Sequence, residues 1–309
     1  NPEEAVKVYR ELKSSQGVER VYPKTKYQLL SIATTPDYTN LQGYLYSEST
    51  TGGMNAQAAW AAGVRGEGVI LVDAEYEWNF DHEDIVLNPN GDTSCTPNYP
   101  DCMDSLNHGT ALVSVMAGAD NGHGVTGFAP NTDVHALAFS SGDIVAAVDG
   151  VGASVQEELP PGAVVAVALG TIGRLSGTST GNDYGGLPVE AETSILQAFQ
   201  TATAAGITIV AGAGNGSMDL GNSNIYLPDQ TNVSQNDSGS ILVGASFGNV
   251  GGTQYASRPG NHRRPENFNC GSRVNVFAWG GGVVSAGYPN PSGPFNWTSV
   301  PGYADPPGN

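Results

Sequence analysis

H-G-T-A-L-V-S-V-M-A-G, residues 108–118, carries apolar side chains at three- and four-residue intervals and ends in glycine. That spacing predicts a helix. Upstream, G-V-I-L-V-D (68–73) is an apolar run of strand length, and downstream D-V-H-A-L-A-F (133–139) is another. Strand, helix and strand in this order form the unit of a parallel sheet. The pattern continues outward. N-A-Q-A-A-W-A-A-G (55–63) reads as a short helix closed by Gly63, and S-I-L-Q-A-F-Q-T-A-T-A-A-G (194–206) as a helix closed by Gly206. A-V-V-A-V-A-L-G (163–170), I-T-I-V-A-G-A-G (207–214), I-L-V-G-A-S (241–246) and V-N-V-F-A-W (274–279) read as strands. The expected fold is therefore α/β, with a mostly parallel central sheet covered on both faces. In such sheets, sites gather at the carboxyl ends of the strands.

Composition narrows the function classes. The 309 residues hold 12 Lys+Arg against 30 Asp+Glu, a formal net charge of −18. Phosphate binding needs clustered cations, so nucleic acid is not the expected partner. Charged residues are only 14% of the chain, below the roughly 25% of ordinary globular domains, which argues against an acidic disordered protein. No apolar run approaches the ~20 residues a membrane span needs. The cations are unevenly placed. All four Lys and two of the Arg fall in residues 1–26 beside four Glu, so that segment carries +2 and the remainder −20. Two parts with different jobs are expected. P-E-E-A-V-K-V-Y-R-E-L-K-S-S (2–15) has helical spacing and V-E-R-V-Y (18–22) alternates like a strand. The expected division is a helix–strand segment at 1–30, a connector at 31–54 and the main domain at 55–309.

Three residues stand where chemistry would be expected. Asp73 ends the first strand, where a carboxylate needs a partner; a cap or salt-bridge role competes. His108 opens the predicted helix, where the helix amino terminus disfavours imidazolium and keeps a base neutral. A capping or core histidine is the plainer alternative. Asn215 follows V-A-G-A-G at another strand end and could donate to a developing oxyanion; an Asx turn would explain it equally well.

In order and together, these residues make the chain resemble the subtilisin-like serine peptidases over about residues 55–309. The matching stretches are G-V-I-L-V-D; N-H-G-T-A-L-V-S-V-M-A-G; N-G-H-G-V-T-G-F-A-P; G-I-T-I-V-A-G-A-G-N; and S-I-L-V-G-A-S. The H-G-T helix followed by G-V-x-G-x-A-P is the most discriminating pair. The resemblance implies a three-layer subtilisin-like fold and a secreted endopeptidase that hydrolyses peptide bonds through an acyl-enzyme. It implies Asp73 as the acid orienting His108, His108 as general base and then acid, and Asn215 as oxyanion donor. Ala168, Leu169 and Gly170 would pair with an extended polypeptide substrate, and Gly212, Ala213 and Gly214 would wall its pocket. Asp84, with Asp120 and Asn121 in the following loop, matches family calcium ligands, so structural calcium is the implied cofactor; a capped turn and a solvated acid are the alternative.

Two departures stand out. The family usually places a small residue and glycine after the acid, whereas this chain reads Asp73-Ala74-Glu75-Tyr76-Glu77. The family nucleophile lies in G-T-S-x-A-x-P, and no such motif occurs here; Gly177-Thr178-Ser179 precedes Asn215 and lacks a following helix. The serine is expected in a segment beyond Asn309, so this chain alone is expected to be inactive and its own carboxyl-terminal fragment is an expected partner. A subtilisin-fold binding protein without peptidase activity is the rival reading. The helix and strand at 2–22 resemble part of a family propeptide, with Lys24–Ala33 the expected processing region. Cys95 and Cys102 bracket a loop that a disulfide could close, leaving Cys270 over. Sequons at Asn232, Asn236 and Asn296, with the acidic body, favour secretion and glycosylation.

Overall fold

The computed structural model describes residues 7–8, 10–13, 15, 35–90, 102–138, 159–175, 184–221, 225–226, 237–246 and 268–287. It divides into two compact units, 1–34 and 35–309. In the first, residues 7–8 and 10–13 are helical, as their spacing predicts. Lys7 and Glu11, one helical turn apart, lie 3.9 Å from each other. The strand expected at 18–22 and the processing region lie outside the described residues.

The second unit is built on seven strands: β1 (Ile70–Glu75), β2 (Asn88–Asn90), β3 (Asp133–Ala138), β4 (Val164–Val167), β7 (Thr208–Gly212), β9 (Ile241–Ser246) and β10 (Val276–Trp279). Their order across the sheet is β10-β9-β7-β4-β1-β3-β2, and every pairing is parallel. Helix α3 (Cys102–Ala117) and helix α4 (Thr193–Ala204) cover opposite faces. The side-chain period of two assigns each face. Val72, Ala74, Val165, Val167, Ile209 and Ala211 pack with Ile195, Ala198, Phe199 and Ala202 of α4. Leu71, Val134 and Ala136 pack with Val113 and Ala117 of α3. The result is the expected three-layer α/β architecture. On α4 the buried positions 195, 198, 199 and 202 repeat at helical intervals, which is why this helix was legible.

Three features differ from the sequence reading. Helix α3 begins at Cys102 rather than His108. Met103, Leu106, Thr110, Val113 and Ala117 form one continuous helical spacing, but the polar M-D-S-L-N stretch and the cap-like Asn107 mask it. The run 163–170 is not one strand. Strand β4 ends at Val167, and the chain leaves the sheet to start β5 (Gly170–Leu175). Strand β5 pairs antiparallel with β6 (Tyr184–Pro188) and with β8 (Ile225–Tyr226), a second sheet that no alternating pattern announces. Finally, residues 35–54, most of the expected connector, belong to the larger unit. Two 3₁₀ turns (Thr39–Leu41, Gly43–Leu45) and helix α1 (Glu48–Thr51) precede helix α2 (Ala56–Ala61). There Gln42, Tyr44 and Leu45 are all at most 3% exposed. The Gln42 amide closes the loop: its Nε2 donates to the Thr126 carbonyl at 2.8 Å and its Oε1 accepts from the Thr126 N–H at 2.9 Å. Single-turn helices bury residues without a readable period.

Candidate active site

Parallel register carries the first, fourth and seventh strands to one edge. Ala74 pairs with Val167, and Val167 with Ala211. One residue further on, Glu75, Ala168 and Gly212 therefore stand level at the carboxyl edge. An ideal Cβ on Gly212 would lie 3.9 Å from the Ala168 Cα. The expected substrate segment and pocket wall are thus neighbours. Ala168 and Gly170 are exposed, and Gly170 enters β5 opposite Pro188.

Asp73 and Glu75 lie two apart on β1, on the face that Leu71 presents to α3. Both are buried, Asp73 at 0% exposure and Glu75 at 1%. The structure corrects the sequence assignment here: His108 Nδ1 lies 3.1 Å from Glu75 Oε2, not from Asp73. Asp73 Oδ2 instead accepts from the Trp78 indole Nε1–H at 2.8 Å. The cause is position along the strand. His108 meets β1 at its last residue, and a carboxylate two residues earlier is too deep to reach it. Gly109 sets this level. A Cβ there would sit 2.9 Å from the Trp78 indole nitrogen and against the Glu77 carbonyl. Only glycine lets the 76–79 loop lie on the helix, where the Thr110 hydroxyl also receives the Asn79 N–H at 2.8 Å. Glycine's usual cost inside a helix is the condition for this approach. The sequence signal for Glu75 was its shared face with Asp73 and its place nearer the strand end.

The electrostatics follow. An ionised carboxylate only accepts, so the bond to Glu75 places the imidazole proton on Nδ1 and leaves Nε2 as the base. Burial alone pulls the His108 pKa down, but the hydrogen bond and charge of Glu75 outweigh it and raise the value above 6.5. The helix amino terminus does not set it, because His108 lies well past the first turn of α3, where the dipole acts. Asp73 is pushed well above the usual carboxylate range, first by burial and then by the charge of Glu75, against the Trp78 hydrogen bond. Its proton is therefore lost at higher pH than that of an ordinary carboxyl.

Asn215 follows β7 on an exposed loop. Gly214 has φ +88° and Ser217 φ +57°. Gly186 of β6 lies directly beneath, since a Cβ there would be 3.2 Å from the Asn215 nitrogen.

Of the three expected calcium ligands, the structure brings Asp84 and Asn121 together and directs Asp120 elsewhere. Asp84 is fully buried, but its Oδ2 accepts the Val125 N–H at 2.8 Å and its Oδ1 accepts the Asn121 side-chain N–H at 3.0 Å. Asp120 turns away to pair with Arg65. Asn121 thus offers a donor where a cation needs oxygens, and calcium takes about 6–8 of them. Among the described residues no three His, Cys, Asp or Glu side chains converge. Cys270 is a free, half-buried thiol; Cys95, the Gly177–Ser179 triplet and the three sequons lie outside the described residues. Among the described residues no helix is long and apolar enough to cross a membrane.

Residues 22–280 match the subtilase family. Alkaline elastase YaB of Bacillus sp. (strain YaB) is 25% identical over 219 residues, 71% of this chain and 47% of that protein. The chain spans about half the length of this relative. Among solved structures, a protease of Pseudoalteromonas arctica shares the fold with a TM-score of 0.52 at 23% identity, over 81% of this chain and 73% of that one. The nisin leader peptidase NisP of Lactococcus lactis gives 0.51 at 17% identity, over 80% and 70%.

Proposed function

The chain belongs to the subtilase family, and on that premise we propose that it supplies most of the catalytic domain of a secreted serine endopeptidase acting on polypeptides. One observation carries the reading: a buried carboxylate, Glu75, receives His108 Nδ1 at 3.1 Å at the carboxyl edge of the sheet. In this reading Nε2 of His108 takes the proton of an attacking serine hydroxyl and returns it to the leaving amine. Glu75, in the role expected of Asp73, holds the neutral tautomer and then stabilises the imidazolium. The Asn215 amide donates to the oxyanion, a contact whose loss typically lowers turnover by about 10²–10³. Ala168–Gly170 receive the substrate backbone, and Gly212–Gly214 border its side chain. The nucleophile comes from a G-T-S-x-A segment that is not among these 309 residues, and residues 1–30 act as propeptide.

The experiment is labelling of the full-length native protein with an organofluorophosphonate. A single labelled serine outside residues 1–309, with labelling lost in His108→Ala, is the expected result. A folded, processed protein that takes no label would reject the peptidase reading and leave the fold as a binding module.

A further inference from the structure

We infer that Asn269 is the positioning residue of the oxyanion side of the site, a clamp that holds the loop carrying Asn215 against the sheet that carries the substrate segment. The inference rests on the proposed role of Asn215.

Asn269 precedes β10 and is fully buried, at 0% exposure. An asparagine amide offers two donors and two acceptor positions, and here all four are used. Its Nδ2 donates to the carbonyls of Gly186 and Ala213, both at 2.7 Å. Its Oδ1 accepts the N–H groups of Gly216 and Met218, both at 2.9 Å. Its own backbone N–H donates to the Gly214 carbonyl at 3.1 Å. Four of the five contacts therefore bracket Asn215, two before it and two after, and none uses Asn215 itself, which stays exposed.

The loop needs such a holder. Gly214 and Ser217 both occupy the left-handed region, at φ +88° and +57°, which a serine adopts only where its surroundings fix it. The fifth contact gives the clamp its wider reach. Gly186 belongs to β6, which pairs with β5 through Gly170↔Pro188 and Ile172↔Gly186. One amide thus joins β6, the antiparallel neighbour of the strand that the substrate segment enters, to the end of β7 and the Asn215 loop. Oxyanion donors act through pre-set geometry, so their holder bears on turnover more than on substrate binding.

Asn269→Asp is the sharp test, because it keeps the shape and the acceptors but turns a carboxylate oxygen toward two carbonyls. It is made in the full-length protein beside Asn269→Ser, Asn215→Ala and the double variant Asn215→Ala/Asn269→Asp. Hydrogen exchange reads the clamp without reference to activity. The amides of Gly216 and Met218 should exchange at least about tenfold faster, while those of β1 and β4 keep their protection. In peptide hydrolysis, kcat should fall about tenfold or more with KM changed less than about threefold. On the Asn215→Ala background the same change should cost less than about twofold, because the two residues act as one unit. Unchanged exchange at 216 and 218 in a folded variant would overturn the clamp. So would independent, multiplicative losses of kcat, which would show that Asn269 does not act through Asn215. If Asn269→Asp does not fold, Asn269→Ser, which retains a short donor, carries the same exchange and kinetic readouts. A wild-type protein that neither cleaves peptides nor takes the fluorophosphonate would instead refute the peptidase reading, and exchange alone would then decide the clamp.

Discussion

Asp73 and Glu75 share a face of one strand, yet the fold gives them different partners. Glu75 meets the His108 ring, whereas Asp73 meets the Trp78 indole, and burial raises its pKa. Two outcomes follow for single variants. Glu75→Gln should lower kcat by about 10³–10⁴, in line with amide replacement of other triad acids, and it should move the acidic limb of the pH–rate profile to lower pH. In the parent that limb should lie above 6.5, because the base must be neutral and Glu75 raises its pKa. Asp73→Asn should leave kcat within about threefold, since an asparagine oxygen still accepts from Trp78. Its effect is on stability. The folded state holds a proton that the unfolded chain releases above about pH 3.8, so stability falls as pH rises from there towards the raised folded value. Asp73→Asn removes that loss. The melting temperature should rise at pH 8 and change little at pH 3. A large kcat loss in Asp73→Asn with activity retained in Glu75→Gln would reverse the assignment.

Between elements, hydrogen bonds from buried side chains do what sequence periodicity cannot. Asp84 ties the segment before β2 to the 121–125 loop through the Val125 N–H and the Asn121 amide. Asp84→Ala would strip a buried backbone donor of its partner and should destabilise by about 1–3 kcal/mol in urea unfolding. Because Asn121 supplies a donor at this position, a chelator should leave the melting temperature of the parent protein unchanged. A drop of several degrees that calcium alone restores would show that the loop rearranges around a cation. Asn269 works in the same manner at the other end of the sheet, where its side chain bonds four backbone groups.

For the whole molecule, the uneven charge has a structural side. The larger unit is strongly acidic, and one of its six arginines, Arg273, is buried. Arg273, 6% exposed, reaches Glu190, 2% exposed, at 2.7 Å across 83 residues of chain. The Ser238 and Ser240 hydroxyls donate to the other oxygen of Glu190. The cluster joins the turn before α4, the start of β9 and the approach to β10. Removing one partner leaves a buried charge uncompensated, so Arg273→Ala should cost about 3–5 kcal/mol. Glu190→Gln with Arg273→Met should cost clearly less than the sum of the single changes. Equal and additive losses in a double-mutant cycle would show that the pair contributes nothing as a pair.

What the sequence determined by itself was set by periodicity and local chemistry. Apolar runs of strand length alternating with α4-like helical spacing specify a parallel sheet between helices, because each element must bury one face. H-G-T and the strand ends mark the edge where the site lies. Tertiary structure alone decided which carboxylate serves His108. Asp73 and Glu75 have the same face and the same chemistry, and only the level at which α3 crosses β1, permitted by Gly109, separates them. It also decided that Asn269, unremarkable in F-N-C-G, brackets Asn215, and that Asp84 bonds to N–H groups. Those roles depend on which backbone atoms distant segments bring to one side chain, and no local pattern encodes that.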